Sequence, residues 1–188
     1  MACVLVPLAP GFEEIEAVTV IDLLRRARIE VVVAALDARE VEGSRGVTVV
    51  ADALLEDVLD QRFDLVALPG GRQGAEHLCA DARVAKLVNG VLGAGGRAAA
   101  ICAAPSVLAA AGVLEGRRAT SFPGFLDDSG VSALEQRSEP VVVDGPIVTS
   151  RGPGTAMDFA LELIVQLAGE SVAREVEGPL QRPDPRFS

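Results

Sequence analysis

The chain has 188 residues, 49% of them apolar, a formal net charge of −10, and neither Trp nor Tyr. That apolar mass suffices for one domain with one sizeable core. The acidic balance repels phosphate backbones and the missing aromatics remove stacking platforms, so nucleic-acid binding by charge is excluded.

The first element is a near-continuous apolar run, Ala2 to Ala9. Such runs fit strands buried on both faces of a parallel sheet. No basic stretch precedes it, so it reads as a core strand and not as a signal peptide. Pro10-Gly11 breaks the run, and a helical pattern follows from Glu13 to Ala27. Ile29 to Leu36 is a second strand, Val47 to Val50 a short one, and Leu54 to Leu59 a short helix. Phe63 to Leu68 is a buried strand closed by Pro69-Gly70-Gly71, with a helix from Asp81 to Leu92 after it. Arg97 to Ile101 is a strand and Ala104 to Ala111 a helix. Val141 to Val143, Asp144-Gly145 and Ile147 to Thr149 read as a hairpin with a tight turn. A long amphipathic helix follows from Pro153 to Leu167. Residues 1–178 form a single domain on this reading. The tail, 179–188, holds Pro179, Pro183 and Pro185 and is expected to be loosely ordered. No stretch of about 18 apolar residues exists, so nothing here spans a membrane as a helix.

Alternating strands and helices predict an α/β fold with a largely parallel sheet and a late antiparallel hairpin. Ligands in such folds bind beyond the carboxyl ends of the strands. Three segments stand there: the turn before Glu13, Glu14 and Glu16; Gly70-Gly71; and Cys102-Ala103-Ala104-Pro105. Cys102 stands between strand and helix among alanines, a setting that can expose a nucleophile. A helix dipole behind it would favour thiolate. The alternative is a buried structural cysteine. Glu16 shares one helical stripe with Val20, Leu23 and Ala27, so it faces the interior, where a carboxyl stays protonated. Glu14 shares its stripe with Val18, Ile21 and Arg25 and reads as solvated; Glu13 and Glu14 merely complement the helix dipole. Gly70 and Gly71 offer N–H groups as an oxyanion hole or form a plain turn. The run from Ser150 and Arg151 to Thr155 could hold an anion or simply start a helix.

Three cysteines without a CxxC spacing give neither a disulfide framework nor a zinc knuckle, and fit free thiols in a reducing cytoplasm. His77 and Cys79 stand without further ligands, so no metal is expected and His77 belongs on the surface. Gly93, Gly95 and Gly96 precede a strand instead of following one, so they are not a dinucleotide fingerprint, and no cofactor is expected.

Four blocks, Leu8 to Ala27, Leu68 to Gly71, Ala99 to Pro105 and Thr149 to Leu161, together carry a family likeness. The chain resembles the ThiJ/PfpI superfamily, in the branch of the parkinsonism-associated protein deglycase and closest to its bacterial YajL-like members. The resemblance implies a flavodoxin-like three-layer sandwich and a homodimer. It places the oxidisable nucleophile at Cys102 and the buried acid at Glu16. It assigns backbone N–H groups facing the thiol to Gly71 and Ala103, and an arginine near the pocket at the dimer interface to Arg45. Two departures stand out. Ala103 replaces the histidine that follows the cysteine in the protease-like branch, so peptidase activity is not expected. Phe122, before Pro123, stands where several deglycase-branch members carry histidine, so Glu16 must carry any proton transfers.

The resemblance implies cysteine-dependent chemistry on methylglyoxal or glyoxal, or on their adducts with amines or thiols in glycated proteins, giving lactate or glycolate. The alternative is a non-catalytic redox sensor or holdase chaperone that uses the same thiol. An amidotransferase-like hydrolase would need a histidine downstream of Cys102, and His77 precedes it.

Overall fold

The computed structural model describes residues 2–127 and 129–187; Met1, Asp128 and Ser188 lie outside the described residues. The strands are β1 (Cys3–Leu8), β2 (Glu30–Ala35), β3 (Glu40–Glu42), β4 (Thr48–Val50), β5 (Ala53–Leu54), β6 (Leu65–Leu68), β7 (Arg97–Ile101), β8 (Arg118–Ala119), β9 (Glu135–Gln136), β10 (Val141–Asp144) and β11 (Ile147–Ser150). The helices are α1 (Glu14–Arg26), α2 (Arg72–Ala80), α3 (Ala82–Gly93), α4 (Pro105–Ala110), α5 (Ala156–Ala168) and α6 (Glu170–Glu177).

Seven strands build the central sheet in the order β10-β11-β7-β6-β1-β2-β5. All neighbours run parallel except the β10–β11 hairpin. Successive side chains of a strand point to opposite faces, and β1 shows what that does. Val4, Val6 and Leu8 pack with Ala17, Val20 and Leu24 of α1 and with Phe159 and Ile164 of α5. Leu5, between them, packs with Leu78 of α2, Val88 of α3 and Leu108 of α4. Every residue from Val4 to Leu8 is buried, so the unbroken apolar run is the signature of a sheet covered on both sides. The three layers match the architecture expected. Among the described residues, no helix is long and apolar enough to cross a membrane.

Four differences from the sequence reading have physical causes. Helix α2 lies where no helix is predicted; Ala75 and Leu78 reach the core and hold it there. Strand β3 lies in the polar stretch and forms by pairing with β4. The long helix is α-helical only from Ala156, after a tighter turn over Pro153–Thr155. The segment after residue 178, expected to be loosely ordered, is tied back as far as Phe187. Arg182 pairs with Asp158 and with Glu177, both at 2.7 Å, and Arg186 pairs with Glu162. The amides of Arg186 and Phe187 donate to the buried Glu177 carboxylate. Those partners lie on α5 and α6, which a local count of prolines does not reveal.

Candidate active site

Strands β1, β6 and β7 are neighbours, so the segments leaving their carboxyl ends meet. From β1 the chain builds towards β2 on one side and reaches β6 on the other. That is the switch point where open α/β sheets leave a crevice. The turn at Gly70 enters from β6, Glu16 from the helix after β1, and Cys102 from β7.

Cys102 has φ of +64°, the left-handed region that a side chain occupies at a cost of about 1–2 kcal/mol. Two backbone bonds hold it there. Its N–H donates to the Ser150 carbonyl at 2.9 Å, and its own carbonyl accepts from the Phe122 N–H at 2.8 Å. The turn lifts the side chain off the strand axis and leaves it partly accessible. Helix α4 begins only at Pro105 and has six residues. The dipole effect expected on the thiol therefore has little behind it, since it acts within a first turn that Cys102 precedes. The backbone amides of Gly71 and Ala103 favour the thiolate instead, pulling its pKa down.

Both glycines before α2 are required by space. A Cβ on Gly70 would lie 2.6 Å from Cys102 Cβ and 2.6 Å from Glu16 Oε2. Gly71 has φ of +85°, and a Cβ there would strike the Gly11 carbonyl. The Gly70→Ala variant is expected to lose about 1–3 kcal/mol of stability through overpacking, with the thiol pushed out of place. Denaturant midpoints together with the rate of Cys102 alkylation check this; an unchanged midpoint and rate would show that the turn yields.

Glu16 is fully buried. Its Oε2 accepts the Gly70 N–H at 2.8 Å, while Oε1 has no partner among the described residues. Burial pushes the carboxyl up from 4.5 to about 7, against the pull of the Cys102 and Gly70 hydrogen bonds. Burial, the Glu16 charge and the Glu16 hydrogen bond push Cys102 up to about 12, against the pull of the Gly71 and Ala103 amides. The two values belong to one pair. The Glu16 charge raises Cys102 only while Glu16 is ionised. Once Glu16 is protonated that charge is gone and its O–H can donate to sulfur. The carboxyl therefore titrates near 7 while the thiol keeps its proton well above that. The free thiolate expected from the sequence gives way to a protonated thiol beside a carboxyl that ionises near neutrality.

The remaining candidates fall elsewhere. Ser150 is buried; its carbonyl orients Cys102, and its hydroxyl donates to the Pro140 carbonyl at 2.8 Å. Arg151 reaches the Ser138 carbonyl at 2.9 Å and is not joined to Cys102. Arg45 is exposed, with its guanidinium on the Ser44 carbonyl. Glu14 corrects the sequence reading. It is buried, and it accepts from the Arg45 amide and the Ser44 hydroxyl, clamping the loop before β4 onto α1. Burial pushes its carboxyl up, but these bonds outweigh it and hold it below its usual range. His77 is exposed, with Nδ1 2.9 Å from the Pro10 carbonyl. Among the described residues no cluster of three acidic, histidine or cysteine side chains could hold a metal. A cavity of about 940 Å³ lies at the amino ends of the strands, lined by Cys3, Phe63, Gly96 and Arg97. Neither Glu16 nor Cys102 borders it, so the reactive pair and not that hollow marks the site.

The DJ-1/PfpI family model matches residues 2–166. This chain belongs to the DJ-1/PfpI family. Among DJ-1 proteins, the chain is 44% identical to Protein DJ-1 homolog B of Arabidopsis thaliana over 185 residues, 97% of this chain and 42% of that protein. The chain thus spans less than half the length of the Arabidopsis relatives it matches. Protein dj-1beta of Drosophila melanogaster is 43% identical over 92% of each chain. The crystal structure of a DJ-1 superfamily protein from Salmonella typhimurium superposes with a TM-score of 0.92 at 36% identity, covering 98% of this chain and 100% of that one. A more distant relative, 32% identical over 89% of each chain, is the glutathione-independent glyoxalase DJR-1.2 of Caenorhabditis elegans. These matches place the chain among DJ-1 homologues at large and do not single out the YajL-like members.

Proposed function

We propose that the protein converts reactive dicarbonyls, free or as protein adducts, to hydroxy acids through Cys102. The observation that carries this is the fully buried Glu16 carboxyl beside Cys102, where a Cβ on Gly70 would lie 2.6 Å from both Glu16 Oε2 and Cys102 Cβ, with its pKa pushed up to about 7 by burial. A group that ionises near neutrality is well matched to giving and taking protons. The relative named as a glutathione-independent glyoxalase is consistent with it.

The thiol proton passes to Glu16 as sulfur bonds to the aldehyde carbon of methylglyoxal. The carbonyl π electrons move onto oxygen, and the Gly71 and Ala103 amides stabilise the oxyanion. Glu16 gives that proton to the oxygen, and the adduct is a hemithioacetal. Glu16 then takes the proton from the former aldehyde carbon and returns it to the neighbouring carbon while the hydroxyl proton moves to the ketone oxygen, leaving a lactoyl thioester. Water cleaves the thioester to lactate and restores the thiol. With an amine or thiol adduct as substrate, the amine or thiol is released.

Ile15 and Val18 of α1 are 57% and 47% exposed, and Val47 and Val50 around β4 are 52% and 64% exposed. Glu14 holds the amide of Arg45 between these two sets. This apolar face fits a second copy of the chain, with Arg45 at its edge.

Purified protein incubated with methylglyoxal and without glutathione is expected to form lactate, identified by mass spectrometry. A protein that makes no lactate but oxidises Cys102 at low peroxide would replace this reading with the redox sensor.

A further inference from the structure

An exposed aromatic residue is tied by its backbone to Cys102. Phe122 is 46% exposed, and its backbone N–H is the one that holds the Cys102 carbonyl. Its ring also lies against Gly152, in the turn after β11; a Cβ there would be 3.4 Å from Phe122 Cδ2. Thus Phe122 stands between the two turns that fix the thiol. It is backed from behind. The Phe125 ring meets Phe122 edge-on, with centroids 6.2 Å apart and planes at 79°. The Arg72 guanidinium covers Phe125 at 4.9 Å from the ring centroid. Arg72 directly follows Gly71, whose amide faces the sulfur. A short chain of contacts, Gly71-Arg72 to Phe125 to Phe122, thus returns to Cys102 itself.

An exposed aromatic ring normally has no reason to be braced on two sides. The edge-to-face contact holds the Phe122 ring, and the Arg72 cation–π contact holds Phe125 behind it. A flat face on the residue whose amide holds the Cys102 carbonyl can take the flat apolar part of a substrate bound at the thiol. Methylglyoxal, whose only apolar part is one methyl group, leaves most of that face unused.

We propose that Phe122, braced by Phe125 and Arg72, is a specificity-determining wall. It favours carbonyl substrates with an aromatic or bulky apolar substituent next to the reacting group over methylglyoxal-sized ones. The proposal deepens the reading of Cys102 as a carbonyl-attacking nucleophile, and rests on it for turnover.

The binding preference can be read without turnover. Phenacyl chloride and chloroacetone present the same ketone beside a phenyl or a methyl group, and thiolate displaces chloride from both. Their rates at Cys102, followed by peptide mass spectrometry, are divided by their rates with N-acetylcysteine. The normalised phenacyl-to-methyl ratio is expected to be about ten-fold or more in the wild type, a typical value for filling an apolar subsite. It should fall towards one in Phe122→Ala and recover in part in Phe122→Leu. The ratio of kcat/KM for phenylglyoxal over methylglyoxal should change in the same order. A normalised ratio near one in the wild type, or one unmoved by Phe122→Ala, overturns the wall. If the alkylation ratio behaves as expected but neither dicarbonyl is turned over, the wall stands and the proposed activity falls.

Discussion

Replacing Cys102 with Ser is expected to lower dicarbonyl turnover by about 10⁴-fold or more, and Glu16→Gln by about 10²–10⁴-fold, both in folded protein. The first removes the bond-forming atom. The second leaves the sulfur in place but takes away the group that receives its proton and then carries a proton between two carbons. The pH dependence separates these roles from damage to the fold. In the wild type, the thiol and the carboxyl lose their first proton near 7, and the singly protonated pair is the reactive form. The value of kcat/KM should therefore rise with pH through about 7, stay level, and fall only as the second proton leaves towards about 12. In Glu16→Gln the rise near 7 should be gone, since only the thiol titrates. A variant that keeps the wild-type limb near 7 at a lower plateau would remove Glu16 from proton transfer and leave it a structural part.

Much of this site was legible in the sequence, because each part sits next to a strand whose burial is unmistakable. The strand from Arg97 to Ile101 is found where expected, which puts Cys102 at its end. The stripe of Glu16, Val20 and Leu23 separates the buried acid from its neighbour Glu13. The same stripe argument failed for Glu14. Its wheel position faces the β3–β4 hairpin, whose first strand the sequence did not announce, and the loop amides there bury it. Burial, which pushes the Cys102 thiol up, is likewise invisible to local sequence. Whether a helix stands close behind a cysteine, and whether an acid from another strand end reaches it, are facts of packing. Phe122 was visible only as a departure from a family pattern; its hydrogen bond to Cys102 spans twenty residues, and no local periodicity encodes it.

The catalytic carboxyl should also weaken the fold, and that cost should depend on pH. Glu16 ionises at 4.5 in the unfolded chain and at about 7 in the folded one. The folded state therefore keeps this proton longer as pH rises. The contribution to stability is complete below about 4.5, declines through the interval and is lost above about 7. Integrated over that span it amounts to about 3 kcal/mol, at 1.36 kcal/mol per pKa unit. Replacing Glu16 with Leu removes the ionisation and leaves the Gly70 N–H without its acceptor at every pH. Stability measured by denaturant at pH 4 and at pH 8 is expected to shift in favour of Glu16→Leu by about 3 kcal/mol between the two. Absolute differences at either pH include repacking; the change between them does not. Cys102 works in the same direction at higher pH, with stability lost as pH rises from 9 towards about 12. A wild type and a Glu16→Leu variant with parallel pH profiles would mean that water or a partner already satisfies the orphaned Oε1, and the carboxyl would then ionise in its ordinary range. Parallel profiles would also remove the reason for the kinetic limb near 7, because one buried proton governs both measurements.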